Sequence, residues 1–339
     1  ASVRQLVTGL NQYMAHRTGQ ALRILPASSD PLEPWLSVRQ LRNRQFDDQA
    51  DPTGKLRQAQ RQLGQLHSAY RQGAWHQFND MARQFVQFLP HAGPQIGTYA
   101  NRRRIDVELA YNKWNPMRLA ALATSCSLAL LILGLWWDRR AFYALGIVLF
   151  VAGLTAAMVG LGARVFIAQR APVTNMYESL IFTSLAVGLL GLAVGWRYCH
   201  TSVMVAAAAV TAVMLLLAQL SPHSMDQGLR PLPPSLRSNF WMVTHVLVTT
   251  LSYASFGLAL GIGNVTLGYF VVRSGNWERI NALTRANCQC LRIGVALLAL
   301  GTVTGGLWAE ASWGRFWGWD PKEVWALITL LGYLAVLHA

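Results

Sequence analysis

The sequence predicts an all-α fold: a polytopic membrane helical bundle that follows an N-terminal helical region. Of the 339 residues, 53% are hydrophobic and only 13% are charged, which is outside the usual range of soluble domains. The polar residues are also unevenly spread. Residues 1–116 carry most of the charge, whereas residues 117–339 consist of apolar runs of about twenty residues. The chain therefore has a soluble region followed by an embedded one.

Each apolar run of the embedded region is long enough to cross a bilayer core of about 30 Å as a helix. Small residues are frequent in them, which allows neighbouring helices to approach closely. At the start of the third run, Asn175 and Glu178 have the spacing of a capping box. We predict seven membrane helices, at about 117–137, 141–162, 177–196, 202–220, 241–272, 292–309 and 322–338.

The N-terminal region predicts amphipathic helices joined by loops. Apolar residues recur at three- and four-residue intervals in 53–89, and residues 1–25 have a similar helical pattern. Three prolines in 24–37 indicate a loop, and a second break is expected at 91–104, before the first membrane run.

The net charge of +14 comes almost entirely from arginine, scattered through helical segments and short loops. No nucleic-acid-binding motif accompanies it, so membrane lipid is the expected counter-charge and no nucleic acid partner is predicted. Arginine is slightly enriched in the loops at 137–140, 196–200 and 273–292, which the positive-inside rule places in the cytoplasm. The N-terminal region and the loop after residue 313 then lie on the outer face.

The cysteines provide no disulfide framework, because all four lie in or beside apolar runs: Cys126, Cys199, Cys288 and Cys290. The last two form a C-x-C pair, which without further ligands nearby indicates small residues at a membrane border rather than a metal site. The chain begins with Ala and stops within an apolar run. We therefore expect a piece of a longer protein, with its membrane domain truncated at the C-terminus.

The segment WGRFWGWDPKEVW (313–325) places four tryptophans just before an apolar run, and Trp308 precedes it. Tryptophan at a membrane border commonly serves as an anchor, because the indole has an apolar body and one N–H donor. Anchoring requires neither this crowding nor the glycines between the rings. A flat aromatic ligand held by stacking would use both, and a porphyrin is the obvious candidate. The candidate binding residues are Trp308, Trp313, Gly314, Trp317, Gly318, Trp319 and Asp320.

A bound heme also needs axial ligands, and two of the eight histidines lie within predicted membrane helices. His245 is about four residues inside the outer end of its helix, or roughly 6 Å deep and level with the tryptophans. His338 lies roughly 22 Å beyond Glu323, towards the cytoplasm. A path that carries heme outward requires a ligand near each face, so both are candidate ligands of the heme iron. The alternative for each is a core histidine bonded to a neighbouring helix.

WGRFWGWD resembles the WWD signature, W-G-x-x-W-x-W-D, of the membrane proteins that handle heme during maturation of c-type cytochromes. The match is complete at Trp313, Gly314, Trp317, Trp319 and Asp320. The continuation PKEVWALITLLGYLAVLH, together with PVTNMYES and WMVTHVLVTTLSY, is similar to the CcsA/ResC branch, the System II cytochrome c synthases. These segments cover about residues 105–339, and residues 1–104 have no motif that can be matched.

This resemblance implies a heme lyase of the bacterial inner (cytoplasmic) membrane. Such a protein exports heme b and attaches it by thioether bonds to the C-x-x-C-H motif of apocytochrome c. His245 corresponds to the first of two outer axial ligands, and His338 to a ligand within the membrane. The second outer histidine is expected beyond residue 339. The implied partners are heme, apocytochrome c and a CcsB/ResB-type subunit or fused upstream half.

Within the WWD loop, the resemblance implies that Trp313, Trp317 and Trp319 hold the heme with its vinyl groups exposed. Asp320 is expected to orient the loop rather than to act as a base. Two alternatives remain open. A System I protein that hands heme to a chaperone shares the WWD signature, although the PKEVW and TNMYES contexts favour System II. A transporter or structural subunit would use the tryptophans only as anchors.

Overall fold

The structure is a computed structural model that describes residues 3–30, 33–97, 99, 101–137, 139–198, 201–220, 225, 227–229, 240–272 and 276–338. It is 82% helical with almost no sheet, which confirms the predicted fold class. The chain divides into two compact units, Ala1–Asp106 and Val107–Ala339. The placement of the N-terminal region on the outer face stays a prediction.

The N-terminal unit combines helices with one two-stranded antiparallel sheet. Its elements are α1 (Val3–Arg17), β1 (Arg23–Leu25), β2 (Leu36–Ser37), α2 (Val38–Asn43), α3 (Lys55–Arg71) and α4 (Trp75–Ile96). Apolar side chains from the sheet, from α2 to α4 and from the connecting loop form one core. It contains Leu25, Leu36, Leu41, Phe46, Leu56, Leu66 and Phe85.

Glycines end two of the predicted helices of this unit early. The predicted helix at 1–25 ends at Arg17, because Gly19 takes a left-handed φ of 71° and the chain then enters β1. The predicted helix at 53–89 is two helices, because Gly73 takes a φ of 70° between α3 and α4.

Two predicted irregular segments also contain regular structure. The segment 24–37, predicted as a loop, contains β2 and the end of β1. The predicted break at 91–104 is shorter than expected, because α4 continues through Pro90 and Pro94 to Ile96. A proline removes one backbone donor and strains the helix locally, and here the surrounding turns tolerate this.

From α5 onward the described part of the chain is a series of helices. They are α5 (Arg102–Trp114), α6 (Pro116–Trp137), α7 (Arg140–Ala168), α8 (Met176–Tyr198), α9 (Thr201–Leu220), α10 (Phe240–Val272), α11 (Trp277–Trp313) and α12 (Pro321–His338). Within the described part of the chain, six segments are long and apolar enough to cross a membrane. They are Arg103–Trp137, Arg140–Ala168, Met176–Tyr198, Thr201–Leu220, Phe240–Val272 and Trp277–Trp313.

Among the described residues, the number of segments that meet this length and hydropathy is one lower than the seven membrane helices predicted. The first six predicted runs each fall within one of these segments. The seventh run, 322–338, does form a helix, α12, but this helix is not among the six. Its first turn carries Lys322 and Glu323, and these charges lower the mean hydropathy of an 18-residue helix.

The predicted loop at 273–292 is wrong from residue 277 onward. α11 begins at Trp277, where Asn276 caps it by accepting from the N–H of Arg279 at 3.4 Å. The helix has 37 residues. It is therefore about 55 Å long, whereas a bilayer core is about 30 Å thick. Its polar first turns resemble a loop in sequence because a membrane helix needs apolar residues only along the part within the bilayer.

Several residues that the sequence analysis named lie outside the described residues. They are Cys199 and parts of the three arginine-containing loops, namely residues 138, 199–200 and 273–275.

α10 and α11 pack closely and are joined by hydrogen bonds from side chains of α10 to carbonyl groups of α11. The hydroxyl of Ser252 donates to Gly294 O at 2.9 Å, and that of Ser255 donates to Cys290 O at 2.7 Å. Gly294 also admits the ring of Phe256, which lies 2.6 Å from where a Cβ would stand. Glycine and serine allow this close approach in membrane bundles. The pair forms a fixed frame for the site described below.

A buried ion pair joins α7 to α8. Arg164 Nη2 lies 3.0 Å from Glu178 Oε1, and both side chains are 2% exposed. Glu178 Oε2 accepts from the hydroxyl of Thr174 at 2.6 Å, and the N–H of Glu178 donates to Asn175 Oδ1 at 2.8 Å. The Asn175 half of the predicted capping box is therefore present, and the Glu178 carboxylate also serves the ion pair.

Candidate functional site

His245 lies near the start of α10 and is partly buried against α11. Its Nδ1 is 2.7 Å from the carbonyl oxygen of Gly301, and Thr249 Oγ1 is 3.4 Å from the same nitrogen. Because a carbonyl oxygen only accepts, Nδ1 carries the proton and donates it. In the neutral imidazole Nε2 then has a free lone pair, and within the described part of the chain it makes no hydrogen bond. A neutral imidazole in this tautomer can bind a metal through Nε2.

Trp308 and Trp313 continue an aromatic series from this imidazole. The ring of Trp308 is nearly parallel to that of His245, with 6.2 Å between centroids and 17° between planes. Trp313 follows Trp308 at 4.9 Å and 59°. Both belong to the last turns of α11, whereas the sequence analysis grouped them with the loop. Nε1 of Trp308 is buried and has no hydrogen-bond partner among the described residues, so its proton is available to a ligand.

The turn between α11 and α12 depends on two glycines. α11 ends at Gly314, which has a left-handed φ of 69° and donates its N–H to Glu310 O at 2.9 Å. Gly318 lies under the guanidinium of Arg315, which occupies the place where a Cβ would stand. In the structure, the two glycines thus shape the turn and do not lie beside the cavity.

Trp317 and Trp319 form an edge-to-face pair within this turn, with 5.8 Å between centroids and 88° between planes. Trp319 is 70% exposed and has a φ of 56°, a conformation that few aromatic residues adopt. The pair therefore places one ring towards the cavity described below and one towards the surroundings.

Asp320 and Glu323 cap the start of α12 reciprocally. Asp320 Oδ1 accepts from the N–H groups of Lys322 at 2.8 Å and Glu323 at 2.9 Å. Glu323 Oε2 accepts in return from the N–H groups of Gly318 at 2.8 Å and Asp320 at 3.2 Å. This is a capping box that also ties down the turn. Glu323 is not among the predicted site residues, although D-P-K-E, with proline first in the helix and glutamate third, is a typical helix start.

Asp320→Ala is expected to loosen the turn, because the amides of Lys322 and Glu323 lose their acceptor. Loss of such a cap costs about 0.5–2 kcal/mol. We expect the amides of residues 318–320, 322 and 323 to exchange with deuterium about 2- to 30-fold faster, as measured by mass spectrometry. Asp320→Asn keeps an acceptor oxygen and is the matched control. Unchanged exchange in the alanine variant would show that the cap does not hold the turn.

His245, the aromatic series and the capped turn surround a single cavity of about 570 Å³. Sites for small molecules typically measure about 300–1,000 Å³. The predicted site residues that line the cavity are His245, Trp308, Trp313, Trp317 and Asp320. Those that do not are Gly314, Gly318, Trp319 and His338. The lining also includes residues that the sequence analysis did not single out, namely Thr249, Tyr253, Thr302, Phe316, Glu323 and Thr329.

The two candidate ligand histidines are far apart. His338 is exposed at the last residue of α12, about 25 Å along the helix from Pro321 at 1.5 Å per residue. His245 lies at the cavity, beside the start of α12. Between them, the rings of Phe256 and Tyr333 stack at 4.3 Å and 7°, one helical turn beyond Thr329 of the cavity lining. The structure thus places one histidine at each end of α12.

The cavity suits a planar, mostly apolar ligand that brings its own metal. Among the described residues, His245 belongs to no group of three or more His, Cys, Asp or Glu that could hold a metal ion. A metal at Nε2 would therefore need most of its ligands from elsewhere, as in a macrocycle. Lys322 and Trp308, whose Nε1 has no hydrogen-bond partner among the described residues, both line the cavity and can donate to an acidic edge of a ligand.

The angle between His245 and Trp308 decides how a macrocycle would meet the tryptophan. The plane of an imidazole ligand contains the metal–nitrogen bond, so a macrocycle lies perpendicular to it. Trp308, at 17° from the imidazole plane, is then within 17° of perpendicular to the macrocycle. It would then meet the ligand edge-on. The prediction that the tryptophans hold a porphyrin stays a prediction.

The six membrane segments and this site at one end of α10, α11 and α12 define a multi-pass membrane protein with a ligand cavity. Residues 173–339 match the cytochrome c assembly protein family. The chain is 32% identical over 209 residues to the cytochrome c biogenesis protein CcsA of Guillardia theta. That match covers 53% of this chain and 67% of the Guillardia protein. The chain belongs to the CcsA family of cytochrome c biogenesis proteins, which confirms the resemblance and a role in cytochrome c maturation.

Two further relatives show how much of the chain the likeness covers. CcsA of Prochlorococcus marinus is 30% identical over 272 residues, which is 68% of this chain and 83% of that protein. Protein NrfI of Wolinella succinogenes is 29% identical over 336 residues. That match covers 94% of this chain but only 35% of NrfI. The chain thus spans about a third of the length of NrfI, and the similarity to NrfI extends over the N-terminal unit of this chain.

Proposed function

We propose that this protein exports heme b across the bacterial inner membrane and attaches it covalently to apocytochrome c on the outer face. The observation that supports this most is the state of His245. Its Nδ1 is held by Gly301 O at 2.7 Å, and its ring lines an aromatic cavity. The alternative, a core histidine bonded to a neighbouring helix, accounts for Nδ1 alone. It explains neither the cavity nor why Nε2 has no hydrogen-bond partner among the described residues.

Each group of the cavity has a role in holding the heme. Nε2 of His245 binds the iron, and Trp313 and Trp317 provide apolar walls. The N–H of Trp308 and the ammonium of Lys322 bind the propionates, since charge-assisted hydrogen bonds to carboxylates are strong. Asp320 keeps the turn in place through its cap. Trp319 is exposed beside the cavity, where it is accessible to the incoming apocytochrome.

The reaction that follows is an addition that needs no oxidant. Each thiol of the apoprotein C-x-x-C-H segment adds across one heme vinyl group. An S–C bond forms, the S–H bond breaks, and the hydrogen goes to the other vinyl carbon. The protein contributes chiefly by holding thiol and vinyl together, because such pairs react as if they were one molecule. The cysteines of this chain take no part, since the substrate brings both thiols.

The other end of α12 has a separate role in this proposal. His338 is exposed there, within reach of a neighbouring chain, and we assign it as a heme ligand on the cytoplasmic side. A CcsB/ResB-type subunit or fused upstream half would supply its partner ligand. The arginine distribution supports this orientation. The arginine-containing loops with Arg139, Arg140 and Arg197 are at the membrane face opposite the turn between α11 and α12, and arginine is enriched in cytoplasmic loops.

Coexpression with an apocytochrome c tests the proposal. The host should lack its own cytochrome c maturation system, and the CcsB/ResB-type partner should be supplied. We expect cytochrome c that keeps its heme stain through denaturing electrophoresis, because thioether bonds survive denaturation. A strain with the partner and apocytochrome but without this protein is the control.

Two outcomes would contradict the synthase assignment. Membranes that contain folded protein and heme but produce no covalent cytochrome would exclude heme attachment. Heme bound covalently to a chaperone instead would indicate a System I delivery protein.

A further inference from the structure

Two glycines of α11 lie opposite the polar face of α10 that carries His245. A Cβ at Gly305 would stand 2.8 Å from both Nδ1 and Cε1 of His245. A Cβ at Gly301 would stand 2.7 Å from Thr249 Oγ1, one turn further along α10. Both distances are too short for a real Cβ. Together Gly301 and Gly305 form a notch, which we call the glycine seat, into which the imidazole and the threonine fit.

The glycine seat also exposes a main-chain acceptor. In an α-helix the carbonyl of residue 301 points towards residue 305, so a side chain at 305 would stand between that carbonyl and a neighbouring helix. With glycine there, Gly301 O accepts from His245 Nδ1 at 2.7 Å as well as from the Thr304 hydroxyl at 3.0 Å. The absence of a Cβ at Gly305 thus leaves room for the contact between Gly301 O and His245 Nδ1.

We propose that Gly305 is a positioning residue for heme ligation: it lets the Gly301 carbonyl hold His245 as the Nδ1–H tautomer, so that Nε2 is presented to the iron. This rests on the proposed function and adds to it the group that orients the ligand. Metal-binding histidines commonly donate their second N–H to a fixed acceptor, which sets both ring orientation and basicity. A membrane helix carbonyl serves here in place of a carboxylate.

Ordinary helix packing is the rival explanation, because small residues bring membrane helices together without any ligand. Gly294 provides the matched comparison. It lies on the same helix and faces the same partner helix, and a Cβ there would stand 2.6 Å from Phe256. That clash involves an apolar ring and leaves His245 untouched. Gly268 of α10, where an added Cβ would have no atom of the described residues within 4 Å, is the benign control.

The first measurement uses protein without heme. Protein containing ¹⁵N-labelled histidine, with the His245 signals assigned by their loss in His245→Ala, should show Nδ1 protonated and Nε2 unprotonated in the wild type. Gly305→Ala should abolish this signature, whereas Gly294→Ala and Gly268→Ala should keep it. An Nε2–H tautomer in the wild type would overturn the proposal even if no variant could be purified.

The second measurement is heme affinity, determined by absorbance titration of the purified proteins. Gly305→Ala is expected to bind heme about 10- to 100-fold more weakly, the usual effect of losing the outer partner of a metal ligand. The heme affinity of Gly294→Ala should stay within about 3-fold of the wild type, even if its melting temperature falls as much as that of Gly305→Ala. An equal loss in Gly294→Ala, or unchanged binding in Gly305→Ala, would overturn the proposal.

The two readouts separate this inference from the function on which it rests. If His245→Ala binds heme as the wild type does, His245 is not the ligand and the proposed function loses its main support. The tautomer measurement still reports whether Gly305 holds the imidazole. If His245→Ala loses heme and Gly305→Ala does not, the function stands and only the positioning role is wrong.

Discussion

His245→Ala is expected to bind heme more than about 100-fold more weakly than the wild type. Loss of the ligand itself should exceed the 10- to 100-fold effect of losing one of its outer partners. The cavity walls would remain, since Trp308, Trp313 and Trp317 do not depend on the imidazole for their place on α11 and the capped turn. Absorbance titration of the purified protein gives the affinity, and coexpression gives the yield of cytochrome c.

Imidazole added to His245→Ala distinguishes lost ligation from lost structure. The substitution leaves a space beside Gly301 and Gly305 that free imidazole can enter, so part of the heme absorbance should return. His67→Ala, which removes an exposed histidine of the N-terminal unit, is the control and should behave as the wild type. Full heme binding and full cytochrome yield in His245→Ala would remove this histidine from the mechanism.

Glu178→Gln is expected to destabilise the membrane unit by about 3–5 kcal/mol, the usual cost of removing one partner from a buried ion pair. Arg164 stays charged, because a guanidinium does not lose its proton in proteins. Its side chain is 2% exposed, and its Nη1 also donates to Gln227 O at 3.0 Å, so it cannot easily reach water. Thermal unfolding of the detergent-solubilised protein measures the effect.

Two companion variants test the cause of that loss. Glu108→Gln removes the same charge from an exposed position on α5 and should change stability by less than about 0.5 kcal/mol. Arg164→Met combined with Glu178→Leu removes both charges, and buried pairs replaced in this way are often nearly as stable as the original. The double variant should therefore be more stable than Glu178→Gln. A single variant as stable as the wild type would show that the pair contributes nothing.

The positions of most membrane helices follow from composition alone. The predicted runs at 117–137, 141–162, 177–196, 202–220 and 241–272 coincide with α6 to α10 within a few residues, except that α7 extends to Ala168. Composition predicts these helices because lipid offers no hydrogen bonds to the backbone, so a long apolar run within the bilayer must form a helix. The same rule fails outside the bilayer. There the polar start of α11 resembles a loop, and Gly73 divides what its periodicity predicts as one helix.

Part of the candidate site could be predicted from the sequence, because it depends on residue types and on their local spacing. The crowded tryptophans, the membrane position of His245 and the D-P-K-E helix start all lie within short stretches. The contact that gives His245 its chemical state lies between residues 56 apart in the chain. It exists because α10 packs against α11 at a position where Gly305 has no side chain, and such a distance depends on how two helices meet. Local pattern therefore singled out His245 as a candidate ligand, while helix packing decided which of its nitrogens faces a hydrogen-bond acceptor.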